Sequence, residues 1–308
     1  MIVCFDIGGT SIKGAYAQDP KTLSLVPRIP TPAQDYDAFV AALKRVIDDA
    51  PQKPDCVSIS IAGILHPADG KAIVANIPCL HGTPMRERLT DDLGLQVIVA
   101  NDADCFALAE AELGAGRGHR IVFGVILGTG VGGGLVIDGR LINENGGPAG
   151  EWGHGPVACT SAGNPPMQIP RFHCGCGVDG CLDATCSARG LEKLHKHIHG
   201  DDESAEDILA FWQADDAKAQ RTLEIYIELL TGPLAMIVNM TGTSVIPVGG
   251  GLSNVPALIE AIDKATRSKT LLRPTEKLVI PAVNKIEPGI IGAAVHGHSV
   301  LRAQRINV

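Results

Sequence analysis

The amino-acid sequence predicts an α/β protein made of two related halves. Three observations carry the prediction. A strand, a glycine-rich turn and a second strand open the chain at residues 2–16, and the same series recurs at residues 121–137. Strand patterns alternate with helical ones along the whole chain, as in layered α/β architecture. The length, 308 residues, suits two domains of about 150 residues each.

In order, residues 2–5 form an apolar run that meets Asp6-Ile7-Gly8-Gly9-Thr10 and resumes at 12–16, reading as strand, turn, strand. A helix over 36–49 places Phe39, Leu43, Val46 and Ile47 on one face. Val57, Ile59 and Ile61 alternate with Ser58 and Ser60 in a strand. Residues 97–100 form another, closed by Asn101-Asp102, after which Phe106, Ala109 and Leu113 fall at helical spacing. Gly114-Ala115-Gly116-Arg117-Gly118 is the first strong break and is read as the main domain boundary. Residues 121–127 are a strand running into the glycine-rich stretch 128–134, and 135–137 continue to Asp138-Gly139, a hairpin signal. Residues 145–190 read as irregular, rich in Gly, Pro, Cys and His. Helical patterns return at 191–195, 205–212 and 221–238. A strand over 244–248 opens a third glycine turn, Gly249-Gly250-Gly251, followed by a helix over 254–266, a strand over 278–283 and a closing helix from 289.

Composition excludes several function classes. A net charge of −8 without any Lys/Arg run argues against nucleic acid and anionic membranes as partners. No segment approaches the roughly 18 uninterrupted apolar residues of a membrane span, and the first residues do not read as a signal peptide. Nine scattered cysteines, an odd number, fit reduced thiols or a metal site in the cytoplasm better than a disulfide framework. The 36 glycines exceed the usual share of roughly 7%, which implies many turns, some shaped around a ligand.

Asp6-x-Gly8-Gly9-Thr10 has a direct chemical logic. Glycines let backbone N–H groups approach phosphate oxygens, Thr10 adds a hydroxyl donor, and Asp6 can hold a hydrated Mg²⁺; the bland alternative is a tight hairpin. Gly128-x-Gly130-x-x-Gly133 formally matches a dinucleotide fingerprint, but that motif must open a helix and here a strand and hairpin follow. A glycine-rich hairpin against a nucleotide triphosphate fits better, and no P-loop sequence is present. Cys174-x-Cys176-x-x-x-x-Cys181 can wrap a tetrahedral Zn²⁺ of structural type, with His154 and His173 as local candidates for the fourth ligand. Asn101-Asp102, read alone, is a helix N-cap more readily than an exposed catalytic carboxylate. His195, His197 and His199 read as a solvated helix end, and so do His296 and His298.

Together these motifs resemble the family of repressors, open-reading-frame proteins and sugar kinases known as ROK, over essentially the whole chain. Asp6, Gly8, Gly9 and Thr10 resemble its first phosphate loop, and Thr129, Gly130, Gly132, Gly133 and Gly134 its second. Gly249, Gly250 and Gly251 resemble the loop near the adenosine. Glu151-Trp152-Gly153-His154 resembles the family's Glu-x-Gly-His sugar motif, whose His is the fourth zinc ligand, so the resemblance selects His154 beside Cys174, Cys176 and Cys181. Asn101-Asp102 matches the position of the catalytic base and reverses the N-cap reading. Asn76, in Ala75-Asn76-Ile77-Pro78, and the insert between His154 and Cys174 look most like bacterial N-acetylglucosamine kinases. One residue departs: where the family carries a sugar-contacting Glu two positions after the last Cys, this chain has Asp183, one methylene shorter.

The resemblance implies an actin-like ATPase (ribonuclease H-like) fold, with two similar α/β domains flanking a nucleotide and sugar cleft that closes on sugar about a hinge at 114–118. The smaller domain would be 1–118, joined by the closing helix 289–308, and the larger 119–288. It implies a cytoplasmic ATP-dependent hexose kinase with Asp102 as base and Asn76, Asn101, Glu151, His154 and Asp183 around the sugar. ATP, Mg²⁺ and structural Zn²⁺ would be its cofactors, N-acetyl-D-glucosamine its substrate at the 6-hydroxyl, and a homodimer its assembly. N-acetylmannosamine, glucose or fructose are the alternative substrates, and a non-catalytic sugar sensor is the alternative of a different class.

Overall fold

A computed structural model describes residues 1–284 and 286–306. The chain divides into two units, unit 1 comprising Met1–Arg117, Gly134–Ala149 and Asn284–Val308, and unit 2 comprising Gly118–Gly133 and Gly150–Val283.

Unit 1 opens with β1 (Ile2–Ile7), β2 (Ser11–Asp19), β3 (Thr22–Pro30) and α1 (Tyr36–Asp48), then β4 (Val57–Ile61), β5 (Ile64–Leu65), β6 (Ala72–Ile73) and α2 (Met85–Leu93). β7 (Val97–Asn101) leads directly into α3 (Asp102–Leu113). The chain then runs through β8 (Ile121–Leu127), β9 (Val131–Ile137) and β10 (Arg140–Leu141). Unit 2 continues with β11 (Ser161–Ala162), β12 (Met167–Gln168), α4 (Leu182–Cys186), α5 (Ala188–His199), α6 (Ala205–Gln213) and α7 (Ala217–Thr241). It ends with β13 (Ile246–Gly249), a 3₁₀ turn (Gly251–Asn254), α8 (Pro256–Lys269) and β14 (Val279–Pro281), and α9 (Pro288–Ile306) closes the chain.

The two five-stranded sheets repeat one plan. Their orders are β3-β2-β1-β4-β7 and β10-β9-β8-β13-β14. In each, a hairpin joined by a glycine turn is followed by strands parallel to its first member: β4 lies parallel to β1 and β7 to β4, and β13 lies parallel to β8 and β14 to β13. Register aligns Ile7 with Ile61 and Ile61 with Asn101, so the carboxyl ends of β1, β4 and β7 lie side by side. Ligands of open α/β sheets bind at such ends.

The core of unit 1 is the apolar face of this sheet, Val3, Phe5, Ile7, Ile59 and Ile61, packed against Phe39 and Leu43 of α1. α9 lies on α3, β1 and β4. Gly292 makes that contact possible, because a Cβ there would overlap the Cys105 backbone, and Ser58 Oγ donates to the Ala293 carbonyl at 2.7 Å. In unit 2, α7 buries Leu223, Ile225, Tyr226, Leu229 and Leu230. α7 is long and apolar enough to cross a membrane by length and composition alone, yet it packs on α5, α6 and α8.

Several elements differ from expectation. β3 carries an exposed, irregular pattern broken by Pro27 and Pro30, as suits an edge strand, and so lacks an alternation signal. α2 buries only Met85 and Leu89 of its charged sequence. The stretch read as irregular contains the β11–β12 hairpin and α4. The hairpin turn docks on α7: Gly163 N–H donates to Glu228 Oε2 at 2.7 Å and Asn164 N–H to Glu224 Oε1 at 2.9 Å. Residues 134–149 fall in unit 1 rather than with the second half, because Gly134 lets β9 pass against α3; a Cβ there would stand 2.8 Å from Ala107 Cβ.

The solvated reading holds for His197, which is exposed, and is corrected for His195 and His296, which are buried. His195 is buried, bonds Thr222 Oγ1 through Nδ1 at 2.9 Å and stacks at a tilt on His199, centroids 4.8 Å apart. His197 and His199 bond the carbonyls of Gln168 and Lys218. His298 is half-buried, and His296 is buried in α9 with neither ring nitrogen partnered among the described residues.

Burial lowers the His296 pKa to about 4. The unfolded chain therefore binds a proton near pH 6.5 that the folded chain refuses until about pH 4, so stability falls as pH drops through that window. Urea melts at pH 7.5 and pH 5 should show His296→Leu losing about 2 kcal/mol less than the parent between the two. Equal losses would place the titration elsewhere.

Candidate functional site

In unit 1 the candidate residues gather at the aligned strand ends. Asp6, near the end of β1, accepts from Ser60 Oγ on Oδ1 and from Lys13 Nζ on Oδ2, both at 3.0 Å. Lys13 also pairs with Glu287 Oε2 at 2.8 Å, and these two carboxylates hold its pKa up against burial. Gly8 and Gly9 form the β1–β2 turn, closed by Gly8 N–H to the Ser11 carbonyl at 3.0 Å, and Thr10 is exposed beside them. A Cβ at Gly9 would stand 2.7 Å from Asn76 Cβ, so the turn and the exposed Asn76 are packed together.

At 101–102 the two side chains share the start of α3, and Asp102 Oδ1 also accepts from Ala103 N–H, at 2.9 Å. Asn101 is the N-cap of α3: its Oδ1 accepts from Ala103 N–H at 2.8 Å and Asp104 N–H at 3.4 Å, while its Nδ2 donates to the Gly63 carbonyl at 3.1 Å. Asp102 occupies the first turn and is partly exposed. Asp104, two residues further on and buried, accepts from Asn143 Nδ2 at 3.0 Å, and Asn143 also bonds the Ala149 backbone in both directions.

In unit 2 the β8–β9 turn is fastened from several sides. Gly128 N–H donates to the Gly130 carbonyl at 3.0 Å, and the Gly128 carbonyl accepts from Ala188 N–H at 2.8 Å. Trp152 Nε1 donates to the Gly132 carbonyl at 3.0 Å. Gly133 has a packing reason of its own, since a Cβ would meet the Trp152 ring at 2.7 Å and Phe123 at 2.9 Å. Gly130, Gly133 and Gly134 are thus all accounted for by neighbours, Asp183 standing over Gly130, whereas Thr129 is exposed.

Gly249 ends β13, Gly250 turns the chain and Gly251 starts the 3₁₀ turn. Gly128, Thr129, Gly251 and Leu252 line a cavity of about 650 Å³ together with Glu206 and Gln213 of α6. That is within the range of small-molecule sites. The α6 residues were not anticipated, because an amphipathic surface helix carries no local sign of what it faces. A cavity of about 660 Å³ in unit 1, among Lys21, Arg117, Arg140 and Arg302, holds none of the predicted residues.

His154, Cys174, Cys176 and Cys181 converge, with their ligand atoms all within 4.8 Å of one another. His173 instead pairs with Asp179 at 2.7 Å and is largely exposed. Cys176 Sγ and Cys181 Sγ are 3.6 Å apart, and Cys174 Sγ and His154 Nδ1 3.7 Å. A tetrahedral zinc with ligands at about 2.3 Å (S) and about 2.0 Å (N) sets edges of roughly 3.8 and 3.5 Å, so the donor set fits. Burial pushes the Cys174 thiol up to about 12. His154 turns its other nitrogen, Nε2, toward Glu151 Oε2 at 3.8 Å, and burial raises the Glu151 pKa. Asp183 lies between this knuckle and the β8–β9 turn: Cys174 Sγ stands 3.5 Å from its Oδ2, and its Oδ1 accepts from Val131 N–H at 2.8 Å.

A profile of the ROK family matches residues 2–299. The chain belongs to the ROK family. It is 36% identical over 302 residues to an N-acetylgalactosamine kinase of Shewanella sp. (strain ANA-3), covering 96% of each chain. To an N-acetyl-D-glucosamine kinase of Shigella flexneri serotype 5b (strain 8401) it is 35% identical over 291 residues, 94% of this chain and 95% of that one. Among solved structures, a ROK hexokinase from Thermus thermophilus matches with a TM-score of 0.82 at 29% identity, covering 98% of this chain and 99% of that one. A ROK family glucokinase from Streptomyces griseus in complex with glucose and AMPPNP matches with a TM-score of 0.71 at 25% identity, covering 95% and 97%. The chain therefore has the actin-like ATPase fold of ROK proteins.

In this ROK chain the packing role of Gly250 can be tested directly. Gly250 has φ +85, and a Cβ would collide with the Leu127 carbonyl. Gly250→Ala should cost at least about 1–3 kcal/mol in urea denaturation. An unchanged midpoint would mean that the β8–β13 approach relaxes freely.

Proposed function

We propose that this ROK protein is an ATP-dependent sugar kinase that phosphorylates N-acetyl-D-glucosamine on its 6-hydroxyl. The observation that carries the reading is Asp102, set on the first turn of α3 at the end of β7 with the capping role taken by Asn101. Family membership and the two N-acetylhexosamine kinases that resemble the chain over most of their length support it. The resemblance to an N-acetylgalactosamine kinase favours that epimer as the second reading. A sensor is not favoured, since the curated relatives over the whole chain are named as kinases.

In this reading Asp102 accepts the proton of the attacking hydroxyl, and Asn101, Asn76, Glu151 and His154 orient the sugar. Phosphoryl transfer depends mainly on positioning and charge neutralisation. The turns at Gly8–Gly9 and Thr129–Gly130 would supply backbone donors to phosphate, and the cavity beside Gly251 and Leu252 would take the nucleoside. Asp6 fits the role of holding hydrated Mg²⁺, which neutralises phosphate charge when bound: Ser60 and Lys13 each use one oxygen, and a carboxylate has acceptor capacity beyond two bonds. His154, Cys174, Cys176 and Cys181 would hold zinc as a structural ion, with Glu151 beside the ligating ring. The setting is the cytoplasm, where the nine free cysteines stay reduced.

A coupled ADP assay over N-acetylglucosamine, N-acetylgalactosamine, N-acetylmannosamine, glucose and fructose should give the highest kcat/KM with N-acetylglucosamine. A higher value for another sugar overturns that assignment. Asp102→Asn should lower kcat by roughly 10²–10⁴ while leaving circular dichroism unchanged. Near-normal turnover would remove Asp102 as the base.

Elemental analysis should find one zinc per chain, bound tightly enough to survive washing with chelator. Cys176→Ser should lower the zinc content and loosen the segment around residue 154. A metal-free, fully active parent protein would remove the site.

A further inference from the structure

Position 183 is where the chain departs from the family pattern, and its contacts lie on the nucleotide side of unit 2. Asp183 is the second residue of α4, two after Cys181. Its backbone N–H donates to the Gly153 carbonyl at 2.9 Å, which ties it to the Glu151–His154 turn. Its carboxylate is spent on the β8–β9 turn and the cysteine knuckle: Oδ1 accepts from Val131 N–H at 2.8 Å, and Cys174 Sγ approaches Oδ2 at 3.5 Å. The fit over the carboxylate is close, because a Cβ at Gly130 would stand 2.7 Å from Oδ1. The donor it binds, Val131 N–H, directly follows Thr129–Gly130, the exposed crown of the turn.

We infer that Asp183 is a positioning residue for the nucleotide phosphates, holding the 128–131 turn through Val131 N–H, and not a sugar contact. This rests on the kinase reading above. The short side chain is what makes the arrangement possible. A carboxylate one methylene further out would overrun Val131 N–H or press into Gly130, whereas the aspartate reaches the amide without displacing either. A hydrogen bond from a backbone N–H to a charged acceptor in a partly buried place fixes the turn before any ligand arrives. Asp183→Ala therefore releases the turn, and Asp183→Asn, which keeps an oxygen acceptor of the same reach, restores it in part.

Two readouts separate this role from general damage. Amide hydrogen exchange of the unliganded full-length protein should show Val131 exchanging at least about tenfold faster in Asp183→Ala, and intermediate in Asp183→Asn. Steady-state kinetics should show KM for ATP rising by about tenfold in Asp183→Ala, with KM for the sugar changed less than twofold and zinc content equal to the parent's. Unchanged exchange at Val131, or a rise confined to the KM for sugar, overturns the inference. If the alanine variant does not fold, the asparagine variant carries the same two measurements. A parent protein that releases no ADP with any sugar sinks the kinase reading alone; the exchange arm and the Kd of an ATP analogue then still decide what Asp183 does.

Discussion

Leu127 and Gly250 approach each other more closely than any residue with a side chain would permit, and the candidate site of unit 2 is arranged around that approach. β8 and β13 run parallel, pairing Val125 with Val248 and Ile126 with Gly249. One step further, a Cβ at Gly250 would overlap the Leu127 carbonyl and stand 2.9 Å from Gly128 N. Two loops that leave neighbouring parallel strands are thereby pressed together at their first residues. The cavity lined by Gly128, Thr129, Gly251 and Leu252 opens where they diverge. Its shape is set by backbone, which is why a chain rich in glycine can be rigid at the places where glycine is most concentrated.

Given that approach, the polar groups nearby act as fasteners. Ala188 N–H, Asp183 and the Trp152 indole each take up one backbone group of residues 128–132. Elsewhere in unit 2, Asp263 is fully buried and satisfies the N–H groups of Leu278 and Val279 at 2.8 and 2.9 Å, fixing the entry to β14 from α8. In unit 1, Glu110 does the same for Ala115 and Asn284, at 2.8 and 2.7 Å. Buried carboxylates that accept backbone donors recover the cost of their own desolvation while pinning loops that have no ladder of their own.

Much of this was legible in the sequence, for a physical reason. Strands and glycine turns are local: residues 121–127 read as a strand and are one, and Asp138-Gly139 turns with both residues at positive φ. The four metal-candidate residues were found from spacing and family resemblance, and they do converge. Long-range packing was illegible. Nothing local distinguishes Gly133 and Gly134, which make room for Trp152 and α3, from Gly130, which lies over Asp183. His195 and His296 looked like surface residues because a polar side chain near a helix end ordinarily is one; their burial depends on α7 in one case and on the packing of α9 in the other. The α6 contribution to the cavity was invisible for the same reason.

The knuckle and the Glu151 turn show how one imidazole can serve two neighbours. His154 Nδ1 faces Cys174 Sγ, so the ring is oriented by the cluster, and that orientation carries Nε2 to Glu151. Burial raises the Glu151 pKa, Asp183 adds to the rise, and His154 opposes it. A ring fixed by a cation on one nitrogen presents an N–H on the other, and an N–H aimed at a carboxylate favours its ionised form. Zinc on Nδ1, as proposed above, would thereby bear on the chemistry of Glu151 without touching it, by fixing which nitrogen carries the proton and where that proton points.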